Sequence, residues 1–461
     1  FHRVLALDPG HVEAWCMLAS ARRLLGRPEA GTALNRRAVF LAPANMTACR
    51  GLLAALLYDP SLDEAARFAE HRRLADLCAP APTPAAIRPH ANPRDPERRL
   101  RVGYLSSDLR AHPVARNLEP ILAAHDHGRF EVVCYAEVDA PDATTARLRA
   151  LVDGWRDIAG LDDAHVADLI RADGVDVLVS VAGRFDRNRP MVCAHRPAPV
   201  QVSLYDGATS GLHEMDAILT DGVMTPRGGP ERFTERPVRL PALFAYQPLA
   251  DAPDPAPPPM LGSGRVTFGS FNNPAKVNGA VLDLWARVLR AVPESRLVLK
   301  YKAVYGAPAL RRRVLEVMER NGVDPARIVL PAASQDGARH LALYHGVDIG
   351  LDPFPFCGAT TTFEALYMGV PVVTWPGTNM MSRWSASLLH VVGCDDLVAA
   401  DAGAYVRIAA SLAADPGRLA RLHAELRPRL LAAPILDPRR KARQVERVLR
   451  ALWRRWCARQ S

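Results

Sequence analysis

The stretch Val347 to Pro376, VDIGLDPFPFCGATTTFEALYMGVPVVTWP, holds the densest grouping of residues able to do chemistry. A strand reads up to Asp352, a Pro/Gly loop follows, and Thr360, Thr361 and Thr362 precede a helix whose first turn includes Glu364. Free backbone amides at such a helix start, with hydroxyls beside them, form an anion site, and the helix dipole favours a phosphate there. Glu364, one turn into the helix, is placed to accept hydrogen bonds from ribose hydroxyls. A structural helix capped by threonine, with glutamate near its third position, has the same pattern.

Lys276, in FGSFNNPAKVN, follows a strand and suits the neutralisation of a departing diphosphate; a loop lysine equally suits a solvated surface charge. His112, in SSDLRAHPVARN, follows another strand, where an imidazole could take a proton or hold a leaving phosphate. A histidine before proline is also a common turn residue. His340, in ARHLALYHGVDI, reads as the start of a helix, there to stack on a base or to cap. LGSGRVTFG has glycines followed by a strand, so it is no dinucleotide fingerprint, and no GxSxG, HExxH or Walker A sequence occurs. Asp162-Asp163 and Asp395-Asp396 make a poor metal site, and no metal is expected.

These residues need elements to hold them. Residues 1–80 have helical patterning, with Leu7-Asp8-Pro9 and Leu41-Ala42-Pro43 recurring at a period of 34, the tetratricopeptide length. An unrelated helical hairpin would carry one period as well. Residues 81–98 read as a proline-rich linker, because proline cannot continue a helix and favours extended backbone. Over residues 99–249 short β-rich runs (LRVGYLS, FEVVCYAEV, VDVLVSV, VQVSLY) alternate with amphipathic helical runs, the pattern of a parallel sheet with crossover helices. A second proline-rich linker, residues 250–261, precedes another such series over 262–437: VTFGSF, RLVLKY, RIVLPA, VDIGLD, PVVTW. Two doubly wound domains are expected, with ligands at the carboxyl ends of their strands and a cleft between the lobes. Residues 438–461 read as a basic amphipathic helix that packs back on the first lobe or stays solvated.

The 461 residues exceed one hydrophobic core and exclude a small module. With 23% charged and 49% hydrophobic residues the composition is that of a globular protein and excludes a disordered one. The net charge of +9 comes mainly from dispersed arginines, not from a basic stripe with interleaved aromatics, so anionic small molecules are expected as partners and nucleic acid is not. The eight scattered cysteines include no CxxC and read as reduced intracellular thiols. The longest uncharged stretch, Ala365 to Ser382, contains Gly369, Pro371, Pro376 and Gly377, so no membrane span is expected. The sequence starts at Phe1 without a basic-then-apolar leader, which suggests a fragment or a trimmed start.

From Leu100 to Cys457 the chain resembles the O-linked N-acetylglucosamine transferases and the related Spindly-type fucosyltransferases, through LRVGYLSSDLRAHPV, AHRPAPVQVSL, MDAILTD, FNNPAK, HLALYHGVDIGLDPFPF, GATTTFEALYMGVPVVTWPG and ALWRRWC. The resemblance implies an α/β glycosyltransferase B architecture, two Rossmann-like lobes preceded by an α-helical tetratricopeptide-type segment. It implies inverting transfer from a nucleotide sugar to a protein hydroxyl, with no cofactor and no metal. His112 then matches the active-site histidine, Lys276 the diphosphate lysine, and Asn273 the position of a family glutamine. Thr360 and Thr361 match the phosphate-holding threonines, Glu364 the ribose carboxylate and His340 the histidine beside the base.

The chain departs from the family in two loops: Tyr205, Asp206, Gly207 and Ala208 replace a Gly-Tyr-Pro turn, and Arg184 stands where many bacterial members have histidine. Arg184, Tyr205 and Asp206 are expected to face sugar or acceptor, with Arg184 adding a phosphate or carboxylate contact. The implied activity is cytoplasmic transfer of N-acetylglucosamine from UDP-N-acetylglucosamine to Ser/Thr hydroxyls of a protein or peptide held by the helical repeats. Alternatives are protein O-fucosylation from GDP-fucose, which Glu364 favours, and a catalytically degenerate scaffold.

Overall fold

Seven runs form the strands β1 (Leu100–Ser106), β2 (Phe130–Ala136), β3 (Gly154–Asp157), β4 (Val177–Val181), β5 (Val200–Leu204), β6 (Ala217–Asp221) and β7 (Arg236–Leu240); β1, β2, β4, β5 and β6 are apolar enough to be buried, whereas β3 and β7 are partly exposed edges. All pair in parallel, in the order β3-β2-β1-β4-β5-β6-β7. Five more strands, β8 (Thr267–Ser270), β9 (Arg296–Leu299), β10 (Ile328–Val329), β11 (Ile349–Leu351) and β12 (Val372–Val373), make a second parallel sheet ordered β10-β9-β8-β11-β12. The sequence pattern exposed nine of these runs; β3, β6 and β7 are short or polar-flanked and carry weaker alternation.

The computed structural model describes residues 1–43, 45–79, 89–248, 251–332 and 337–459. Residues 81–88 of the proline-rich segment expected at 81–98, and residue 250 of the second linker, lie outside the described residues. The chain forms two compact units. Unit 1 contains Phe1–Ala42, Ala55–Leu62 and Pro248–Ala433, with the five-stranded sheet; unit 2 contains Pro43–Ala54, Asp63–Gln247 and Pro434–Ser461, with the seven-stranded sheet. The helices of the first eighty residues are thus shared between the two units.

In unit 1 the helices Val12–Leu24 and Pro28–Leu41 form a hairpin, packed so closely that a Cβ on Gly31 would meet the Ala19 carbonyl oxygen at 3.0 Å. In unit 2 the C-terminal helix Pro438–Ala458 packs back on the first lobe, burying Lys441, Val445, Leu449 and Trp453 along one face. Cys49 and Cys78, also in unit 2, form a disulfide, which corrects the expectation that every cysteine is a free thiol.

In each sheet the chain leaves the centre in opposite directions, from β1 and β4 in unit 2 and from β8 and β11 in unit 1. Such switch points open a crevice at the strand carboxyl ends. The loops leaving those four strands carry most of the residues singled out by the sequence.

Candidate functional site

In unit 1 the loop after β8 turns at once into a 3-10 turn, Pro274–Lys276, capped by Asn273, whose Oδ1 accepts from Ala275 N at 3.0 Å. The turn delivers Lys276 to the loop after β11: its Nζ donates to the Cys357 carbonyl at 2.7 Å and lies 4.1 Å from the centroid of the Phe356 ring. Burial pushes this ammonium down to about 8, with partial compensation from Cys357 and Asp352. Phe356 in turn packs at a tilt against Tyr58, ring centroids 4.7 Å apart, and Arg23 lies over the Tyr58 ring at 4.9 Å.

The loop after β11 is organised by Asp352. This buried carboxylate, its pKa raised by burial, accepts from Gly358 N at 2.7 Å and Thr374 Oγ1 at 2.6 Å. A Cβ on Gly358 would fall 2.3 Å from Thr362 Oγ1, so the loop requires glycine at that point. The helix Thr360–Tyr367 starts immediately afterwards with Ala359 at its cap and no side-chain capping bond. The alternative reading of a structural helix capped by threonine is therefore corrected. All three threonines lie in the first turn, whose amides have no carbonyl one turn back to bond. Thr362 is bonded to Ser385 Oγ at 2.8 Å, whereas the half-buried Thr360 and Thr361 hydroxyls make no hydrogen bond among the described residues. Two hydroxyls, several amides and one ammonium thus bound a place suited to a diphosphate.

Glu364 lies one turn on and accepts from His340 Nε2 at 3.2 Å. His340 belongs to the helix Gly337–Ala342, within it and not at its start, which corrects the capping alternative. Its Nδ1 lies 2.6 Å from Lys300 Nζ, at the end of β9. An ammonium can only donate, so Nδ1 accepts and the proton of the ring sits on Nε2, aimed at Glu364. Phe271 and Tyr344 pack beside the imidazole with ring centroids 6.0 Å away. Lys300 escaped the sequence reading, since nothing in RLVLKY says that β9 borders β8.

In unit 2 the loop after β1 places His112 as cap of the helix Pro113–Ala123, with Nδ1 accepting from Val114 N at 3.3 Å. Its Nε2 lies 2.9 Å from Asp186 Oδ2 and its Nδ1 lies 3.7 Å from Asp108 Oδ1. Asn188, in the loop after β4, ties the two loops together: its Oδ1 accepts from Ser106 Oγ at 2.9 Å and Ser107 N at 2.7 Å, while its Nδ2 donates to Asp108 at 2.8 Å. Burial raises the Asp108 pKa, and the hydrogen bond from His112 lowers that of Asp186. Asp108, Asp186 and Asn188 were absent from the sequence-derived candidates; SSD in SSDLRAHP was the available signal for the first.

The two altered loops fold onto each other. Arg184 is 2% exposed and spends its guanidinium inside unit 2, on Asp206 Oδ1 at 2.6 Å, the Ala208 carbonyl at 2.9 Å, the Thr209 carbonyl, and the ring nitrogens of His71 at 3.0 and 3.1 Å. Burial and the neighbouring Arg184 and Arg67 hold His71 well below its usual range, so it stays neutral beside this cation. A Cβ on Gly183 would lie 2.1 Å from Asp206 Oδ2, so the approach needs glycine. Tyr205 is 5% exposed, donates to the Asn117 carbonyl at 3.2 Å and stacks on Phe244. Where the sequence suggested that Arg184, Tyr205 and Asp206 face sugar or acceptor, the structure engages all three internally.

Comparison with known proteins agrees with this fold. The family described as Glycosyl transferase family 41 matches residues 54–246 and 260–445. A Petunia hybrida protein named as a probable UDP-N-acetylglucosamine–peptide N-acetylglucosaminyltransferase, SPINDLY, is 41% identical over 372 residues, covering 79% of this chain and 40% of its own length. The SPINDLY protein of Arabidopsis thaliana is 39% identical over the same span. The chain therefore spans about two fifths of the length of these curated relatives. A solved structure of a Thermobaculum terrenum O-GlcNAc transferase, in a lysine-to-methionine variant, superposes with a TM-score of 0.92 at 37% identity, covering 100% of this chain and 87% of that one.

Proposed function

The chain belongs to glycosyl transferase family 41, and on that premise we propose that it moves N-acetylglucosamine from UDP-N-acetylglucosamine to Ser/Thr hydroxyls of proteins, with inversion at the anomeric carbon. One observation carries this reading furthest. In unit 1 a buried ammonium, Lys276, shares the end of one loop with a helix start whose amides and two hydroxyls have no partner among the described residues. That is the donor set a departing diphosphate needs.

In the proposed single displacement the acceptor oxygen attacks the anomeric carbon as the bond to the diphosphate breaks. Negative charge grows on the leaving phosphate, where Lys276, Thr360, Thr361 and the helix amides stabilise it more strongly than in the ground state. Glu364, held by His340, receives ribose hydroxyls, and His340 lies beside the base. His112 handles orientation or the proton. Asn273 keeps one amide nitrogen for the nucleotide while its oxygen caps the Lys276 turn. Arg184, Tyr205 and Asp206 then act by shaping the loops beside sugar and acceptor. The helical repeats are assigned to hold a protein or peptide acceptor.

We assign the activity to the cytoplasm, with no cofactor and no metal; no helix among the described residues is long and apolar enough to cross a membrane. Asp108, His112 and Asp186 are close enough to hold a cation, so metal independence is open to direct test.

Calorimetric titration with UDP, GDP, UDP-N-acetylglucosamine and GDP-fucose, with and without EDTA, tests the whole reading. UDP and its sugar should bind, EDTA should change nothing, and Lys276→Met should weaken binding and cut turnover about 10²–10³-fold. A preference for GDP would move the assignment to fucosyl transfer, the reading that Glu364 favours. Binding of none of the four would leave a scaffold.

A further inference from the structure

We propose that Asp186, on the loop after β4, takes the proton of the acceptor hydroxyl, and that His112 serves as the hydrogen-bond donor that holds this carboxylate in place. The inference rests on the transferase reading above and names its proton acceptor.

His112 is limited by the lone pairs of its imidazole. A neutral ring has one nitrogen that donates and one that accepts. His112 caps a helix, and its Nδ1 receives the Val114 N–H at 3.3 Å. That nitrogen is therefore unprotonated, and the only N–H of the ring is on Nε2, which faces Asp186 Oδ2 at 2.9 Å. No lone pair remains on His112 to accept a further proton unless the helix cap is given up. The carboxylate at the end of the chain of bonds is the group left with basic capacity.

The surrounding charges favour the same assignment. Asp108 is fully buried, bonded to Asn188 and Ser107, and pushed toward its neutral form by burial and by the nearby Asp186. Asp186, 45% exposed in its side chain, is held ionised by the His112 hydrogen bond and by Arg110, whose guanidinium lies 3.8 Å away. Asp142 accepts from Ala111 N at 2.7 Å in the loop that carries Arg110 and His112. Burial thus raises the pKa of Asp108, whereas His112 and Arg110 lower that of Asp186, which stays ionised and able to receive a proton. Asp186 also has φ +47°, a left-handed backbone tolerated by aspartate and kept where the surroundings demand it.

The step balances without any other reactant. The acceptor oxygen forms its bond to the anomeric carbon, and its proton passes to an Asp186 oxygen. The bond from that carbon to the diphosphate breaks, its electron pair leaving on the nucleotide. Asp186 then releases the proton to water. His112 keeps its own proton throughout.

Two measurements on the full chain decide the matter. ¹⁵N spectra of the wild type should show His112 with its proton on Nε2, and Asp186→Ala should release that preference. In peptide transfer assays Asp186→Asn should lower kcat by about 10²–10⁴-fold with donor affinity unchanged. Wild-type transfer should stay level as pH falls through about 6.5, where a histidine base would lose activity, and decline only below the ordinary carboxyl range. Thermal melts and Asp186→Glu, which retains a carboxylate and should recover part of the rate, separate chemistry from misfolding. An Nδ1–H tautomer, a histidine-like limb near 6.5, or Asp186→Asn within threefold of wild type would each overturn the assignment. A wild type that consumes no donor overturns the transferase reading and this step with it, whereas the tautomer spectrum still reports on the His112–Asp186 bond.

Discussion

A lysine buried beside a carbonyl and an aromatic ring is charged only at a cost, and Lys276 shows it, with its ammonium pushed down to about 8. The group is protonated at neutral pH, so a diphosphate finds a cation waiting, but above pH 8 the unliganded protein increasingly presents a neutral amine. UDP affinity should therefore fall by about tenfold per pH unit beyond 8, because binding must then take up a proton. Calorimetry across pH 6.5–9.5 checks this, and Lys276→Met should give a weak, flat profile. The same burial penalises the folded state: the penalty is complete below pH 8 and fades as pH rises toward the ordinary lysine value of 10.5. Lys276→Met should accordingly leave the thermal midpoint at pH 7 unchanged or higher, so lost binding cannot be put down to unfolding. Lys276, Thr360, Thr361 and Glu364 were legible in the sequence because each lies within a few residues of a recognisable strand end or helix start. Lys300, Asp186 and Asn188 were not. Their partners are reached across neighbouring strands, and strand order is not written in local periodicity.

At the scale of elements, the two loops that depart from the family pattern behave as one device. Arg184 and Asp206 form an ion pair at 2.6 Å, both 2% exposed, and Glu235 secures the same loop by accepting from Thr209 Oγ1 and Ser210 N at 2.6 Å each. Read separately, an arginine and an aspartate in two loops looked like groups waiting for a ligand. Their mutual neutralisation shows only once β4 and β5 are known to be neighbours. Taking two charges out of water is costly, so the pair stabilises chiefly in the sense that breaking it is worse. Arg184→Met should destabilise unit 2 by about 3–5 kcal/mol, because Asp206 is left charged and buried. The double variant Arg184→Met, Asp206→Leu should recover much of that loss. Urea denaturation of the single and double variants measures it; equal losses in both would mean that the loops are held by something other than this pair.

For the whole molecule, chain order and spatial order part company at the C-terminus. After the last residue of unit 1 the chain returns to unit 2 as the helix Pro438–Ala458, whose residues at four-residue spacing face inward. Trp453, fully buried, donates to the Asp95 carbonyl at 3.0 Å, and Arg450 donates to the carbonyls of Pro96 and Arg98 at 2.9 and 2.8 Å. Glu446 accepts from Asp126 N at 2.8 Å and pairs with His125, itself 2.8 Å from the Tyr104 hydroxyl inside β1. The helix therefore clamps the entry to the central strand that leads to His112. The basic composition of this segment left a solvated tail open as an alternative, since the apolar stripe alone does not say which lobe it covers. Trp453→Ala should cost about 3–5 kcal/mol, the usual loss when a buried aromatic leaves a cavity. A chain of two units need not unfold in one step, so hydrogen exchange is a better readout than a single melting temperature. Amides of β1 and β2 should exchange faster in the variant while those of β8, β9 and β11 keep wild-type rates. Equal acceleration in both sheets would show that the two units unfold together, and that the helix stabilises the molecule and not one lobe of it.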